Sequence, residues 1–128
     1  MEEVSLSIYE LYELRAQLNG FQDRYVGFIN EKGISEGVKR LSYKALKLVN
    51  DELTEIEKQR TAITEEAAKD LNEDEAVIAK QKADAKFLDD SIENPIKLLI
   101  QKLDFKKIED LTLSSQYQLL YDKFFINA

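Results

Sequence analysis

The sequence predicts a mainly α chain: a long antiparallel helical hairpin, coiled-coil-like, packed at one end by an N-terminal and a C-terminal helix. Three observations lead there. The 128 residues include only one Pro and four Gly, which leaves few breaks inside the elements. Neither residue occurs between Val38 and Pro95. Within that stretch apolar residues recur at helical steps on both sides of a turn signal, Asp70-Leu71-Asn72. Two such patterns joined by a short turn read as a helical hairpin. With 44% hydrophobic and 34% charged residues, the balance is globular, shifted toward solvated helices. One domain over 1–128 is expected, with an N-terminal helical segment (1–33), the hairpin (36–93) and an extended segment plus C-terminal helix (95–128).

In chain order, residues 4–6 read as a short extended lead-in. Ser7 with Glu10 forms a capping-box pair, each side chain answering an unpaired backbone N–H at a helix start. Leu11, Leu14, Leu18 and Phe21 then make one apolar stripe, with Asn19-Gly20 expected to interrupt or end the helix. Tyr25, Phe28 and Ile29 suggest a second short helical piece, stopped at Lys32-Gly33. Ser35 is the next N-cap candidate, followed by Val38, Leu41, Ala45, Leu48, Leu53, Ile56, Ile63 and Ala67. A helix over 36–70 would be about 50 Å long, longer than a compact domain of this size is wide, so part of it should project.

Asn72 with Glu75 gives a second capping pair, and Glu73 and Asp74 suit a positive helix end. Val77, Ala83, Phe87, Leu88 and Ile92 carry the returning helix, and Asn94-Pro95 stops it. Ile96, Leu98 and Ile100 alternate as in a strand, so an extended segment is expected near 96–103, although Leu99 leaves helix as a competitor. Ser114 or Ser115 caps a last helix bearing Leu119, Leu120, Phe124 and Phe125.

The absence of Cys and His removes thiolate chemistry, ordinary zinc sites and the usual near-neutral base of nucleophilic triads. A net charge of −7 opposes binding to a phosphate backbone, so no direct nucleic-acid partner is expected. No window resembles a membrane span or a signal peptide, and the expected setting is a cytoplasm, or a particle assembled in one. Acid is concentrated in residues 51–94, with fourteen acids against six bases.

The clusters Glu73-Asp74-Glu75 and Asp89-Asp90 offer carboxylates to a hard cation but lack the spacing and Gly of a calcium loop, and read as solvated helix surface. Tyr9 with Tyr12, and Tyr117 and Tyr121 with Phe124, step by three and four and read as core faces rather than base-stacking platforms. Lys97, Lys102, Lys106 and Lys107 are interleaved with acids and read as surface. A carboxylate pair for glycosidase-type work has no mark of burial. No catalytic residue, cofactor or metal ligand is therefore assigned. The acidic hairpin is the specific feature: it presents a helical face to a protein partner, or mimics nucleic acid toward a basic one.

The layout resembles an uncharacterised family of tailed-phage and prophage proteins. The residues that carry the likeness are Ile8-Tyr9-Glu10-Leu11 and Leu18-Asn19-Gly20, then Leu41-Ser42-Tyr43-Lys44-Ala45-Leu46-Lys47 through Glu57-Lys58-Gln59-Arg60, and finally Ile108-Glu109-Asp110-Leu111-Thr112-Leu113-Ser114 before the last helix. The likeness spans nearly the whole chain but is one of pattern, and the stretch Ile96 to Leu103 is more Lys-rich than that pattern. It implies a phage origin and a small accessory protein, of virion or tail assembly, with no catalytic residues to carry over.

The expectation is a non-catalytic protein that binds proteins and forms a homo-oligomer, because apolar stripes on helices this long need company. Leu48, Leu53, Ile56, Ile63, Val77 and Phe87 are the candidate seam and interface residues. The competing class is a small acidic inhibitor that occupies a basic groove of a host protein.

Overall fold

The structure, a computed structural model, describes residues 2–23, 36–104 and 118–126. The elements run β1 (Glu2–Leu6), α1 (Ile8–Phe21), α2 (Glu36–Ala68), α3 (Glu73–Glu93), β2 (Ile96–Ile100), β3 (Leu103–Asp104), α4 (Gln118–Phe124) and β4 (Phe125–Ile126). The chain is mainly helical: α2 and α3 form a long antiparallel hairpin, packed with α1, and β1 and β2 add a small antiparallel sheet.

Local chemistry sets the boundaries. Ser7 caps α1: its Oγ accepts from Glu10 N at 3.1 Å, and Glu10 Oε1 accepts from Ser7 N at 3.0 Å. This closes both unpaired donors reciprocally. Contrary to the expected interruption or end at Asn19-Gly20, α1 runs through Gly20 to Phe21. Phe21 is fully buried, and placing it in the core outweighs the roughly 1 kcal/mol that a helical Gly costs.

The hairpin turns at Lys69–Asn72. Asp70 takes a positive φ of 63°, and Leu71 N donates to Ala68 O. Asn72 Oδ1 accepts from Glu75 N at 2.8 Å and starts α3, whose first turn carries Glu73, Asp74 and Glu75. α3 ends at Glu93, with Asn94 N donating to Asp90 O and Pro95 next in line.

The β1–β2 ladder pairs Glu2 with Ile100, Val4 with Leu98 and Leu6 with Ile96. Val4, Leu6, Leu98 and Ile100 face the core, whereas Leu99 is 63% exposed. The strand alternative at 96–100 therefore stands, and Leu99 faces outward as a solvated strand residue. Phe125, expected on the last helix, lies instead in β4, which pairs in parallel with β3. The helical piece on Tyr25, Phe28 and Ile29, the stop at Lys32-Gly33, and the caps Ser35, Ser114 and Ser115 lie outside the described residues, as do Lys106, Lys107 and Tyr117 and the side chains of Val38 and Tyr121.

One core holds the base of the molecule. Leu6, Leu11, Leu14, Leu18 and Phe21 meet Ala45, Val49, Leu53 and Ile56 of α2, Leu98 and Ile100 of β2, and Leu120 and Phe124 of α4. Two side-chain hydrogen bonds tie its edges. Buried Ser91, near the end of α3, accepts from Ile8 N at 2.8 Å and donates to Leu88 O. Gln17 Oε1 on α1 accepts from Leu120 N at 2.8 Å, answering an unpaired donor in the first turn of α4.

Candidate functional site: the projecting arm

Ile56 is the last buried residue of α2, and Ser91 is the only buried residue of α3. Between them, residues 57–90 contain no buried position, so the far part of the hairpin stands clear of the core as an arm. Its two helices meet through half-buried, mostly small residues: Arg60, Thr64 and Ala67 on α2, and Ala76, Ala79, Ala83 and Phe87 on α3. Small side chains let two helices approach closely, but they bury little apolar area.

A polar cluster clamps the arm at its root. The Arg60 guanidinium grips the Asp84 carboxylate with two parallel hydrogen bonds, Nε to Oδ1 and Nη2 to Oδ2, both 2.7 Å. Its Nη1 donates to the Tyr12 hydroxyl at 3.0 Å, so α1 joins α2 and α3 at this point. Tyr12 also donates to Glu57 at 3.4 Å, and Arg15 lies over the Tyr12 ring at 5.2 Å from its centroid. The fork geometry suits a planar guanidinium, and the partial burial of both groups strengthens it over an open surface pair.

The hydrogen bonds from Arg60 hold the Asp84 carboxyl below its ordinary value of 3.8, and the same contact raises the guanidinium above its own ordinary value. Both groups are thus charged across the whole neutral range. A shallow, open groove of about 560 Å³ runs beside the clamp, lined by Tyr12, Thr61, Thr64, Lys80, Gln81 and the ion pair. Among the described residues, no group of three or more acids is placed to hold a metal ion, and no helix is long and apolar enough to cross a membrane.

The six seam candidates separate into two sets. Leu53 and Ile56 are buried in the base, and Leu48 and Phe87 pack partly buried against it. Ile63 and Val77 are 37% and 51% exposed, on the arm, and are not shut between its helices. Leu71 in the turn, Ile78 and Ile92 are likewise exposed.

Tyr9 and Tyr12, read as core residues, do other things. Tyr9 is exposed, and its hydroxyl donates to Asp89 at 2.8 Å, which raises the phenol above its ordinary range. Tyr12 is half-buried and serves the clamp. A phenol that can satisfy its hydroxyl at the helix surface gains more there than in a core without an acceptor. Lys97 and Lys102 face Glu3 and Glu2 across the sheet at 3.9 and 3.0 Å.

No protein-family model matches the chain, and no curated protein and no solved structure matches it.

Proposed function

We propose that this is a non-catalytic interaction protein that uses its projecting hairpin arm to dock on other protein molecules, in a structural or assembly role. The observation that carries the reading is the contrast within one hairpin: residues 57–90 contain no fully buried position, yet they expose Val77 and Ile78, with Leu71 beside them in the turn. Large apolar side chains on a clamped, projecting rod are worth their solvent exposure when a partner covers them. Charged groups around them set partner choice. The likeness to a phage family makes phage assembly the setting proposed for it.

The second reading is the acidic inhibitor. It is favoured by the charge of the tip, where Glu65 to Glu75 carry six acids against Lys69 alone.

Tagged full-length chain, used as bait in extract from its natural source with mass-spectrometric identification, tests both. A Val77→Ser/Ile78→Ser variant with unchanged helical circular dichroism is expected to lose the partner that the natural chain retains. Retention of every partner by that variant would overturn the docking reading. Loss governed by salt alone, with the double variant neutral, would favour the inhibitor.

A further inference from the structure

The outer side of α3 carries its own pattern, separate from its contacts with α2. Ile78, Ala85 and Ile92 follow one another at seven-residue steps, and all three are exposed, Ile78 by 54% and Ile92 by 62%. The half-buried positions Ala76, Ala83 and Phe87 occupy the other side of the helix, toward α2. The seven-residue step keeps these side chains on one side of the helix, with the exposed polar residues Asp74 and Gln81 between them, and such a side can pair with another helix. No described element covers its distal half.

The charges flanking this stripe identify the occupant. Four residues after each heptad position stand Glu75 (four after Leu71), Lys82 and Asp89, all exposed. In helix pairs, these flanking positions select partner and orientation. A second α3 laid antiparallel with full overlap would set Lys82 on Lys82 and Glu75 on Asp89. A parallel pairing would bring Asp89 toward Asp84. An overlap of the core-proximal halves meets α1, because Tyr9 already holds Asp89 there. Among these flanking positions, one arrangement pairs opposite charges: antiparallel, overlapping over the distal halves only, with Glu75 of each copy beside Lys82 of the other.

We propose that the distal outer face of α3 is a self-association surface, on which a second copy of this chain docks tip-over-tip in that register. The inference rests on the docking role proposed for the arm and names one occupant for it. Ile78 supplies the apolar centre with Val77 on its flank, Ala85 permits close approach, and two symmetry-related Glu75–Lys82 pairs fix the register. An interface this short gives a weak dimer, with dissociation in the micromolar range or above.

Sedimentation equilibrium on the purified full chain, from micromolar to millimolar at low salt, tests the proposal. The natural chain is expected to dimerise, and Ile78→Ser to weaken the dimer at least tenfold. Glu75→Lys alone and Lys82→Glu alone are expected to be monomeric. The double variant E75K/K82E is expected to dimerise again, and the two single variants, mixed, to form a heterodimer. All three substituted positions are exposed, and circular dichroism verifies that each variant folds. A natural chain that stays monomeric throughout, or single charge reversals that dimerise as well as it does, would overturn the proposal. A monomer that still captures its Val77- and Ile78-dependent partner would overturn this inference and leave the docking reading standing.

Discussion

The base and the arm are made from the same two helices, yet they are held by different forces. At the base, Leu53 and Ile56 of α2 sit among Leu11, Leu14, Leu18 and Leu120, and the stabilisation is apolar burial. In the arm, the same helices are two layers with no other described element over them. What holds them is a seam of Ala and Thr, the Arg60–Asp84 fork and the capped turn at Asn72. Burial needs a third element across the gap. Where α1 and the sheet end, it is no longer available, and directional polar contacts replace it. The base therefore governs global stability, whereas the arm governs local opening.

The sharpest way to break the comparison is Leu53→Ala. It is expected to cost about 2–5 kcal/mol in urea unfolding, while Ile63→Ala in the arm stays within about 0.5 kcal/mol. Equal costs would mean that the arm is packed like the base.

Next is Ser91→Ala, which leaves the buried Ile8 N–H without its acceptor. The expected loss is about 1–3 kcal/mol, read by the same titration.

The clamp comes third. Asp84→Asn is expected to reduce hydrogen-exchange protection in 73–86 by about 1–2 kcal/mol of opening free energy, with protection at Leu14 and Leu18 unchanged. Because Asp84 is held below 3.8, its contribution is complete above that pH and disappears as the pH falls below it. Protection factors of the natural arm should drop over that acid range by more than those of Asp84→Asn.

The smallest effect has the opposite sign. Asp70 sits at a positive φ of 63°, where a side chain is disfavoured. Asp70→Gly is expected to stabilise the turn by about 0.5–1 kcal/mol, seen as a raised Tm.

Much of the frame could be read from residue patterns. Ser7 with Glu10, Asn72 with Glu75, and the absence of Gly and Pro between Val38 and Pro95 each mark an element by local chemistry, and they placed α1, the turn and the hairpin. The clamp was not read, although a signal existed. Arg60 and Asp84 lie twelve residues on either side of Asn72, so a hairpin turning there brings them level. The arm's true seam was less legible. Sequence reading favours large apolar residues, but between two bare helices the small ones go inside, which leaves Ile63 and Val77 outside. Tyr9 and Tyr12 illustrate the same limit, since helical spacing fixes a face without saying what that face meets.

The Gln17 cap on α4 has a consequence for how the molecule assembles. It joins residues separated by 103 positions in the chain, and the β1–β2 ladder likewise joins Glu2 to Ile100. Contacts this distant in sequence incur their loop-closure entropy before they return anything, whereas the α2–α3 pairing closes through a four-residue turn. The hairpin can begin to pair locally before the more distant contacts close over its base. The local α2–α3 pairing is therefore expected to precede the contacts that join β1 to β2 and α1 to α4.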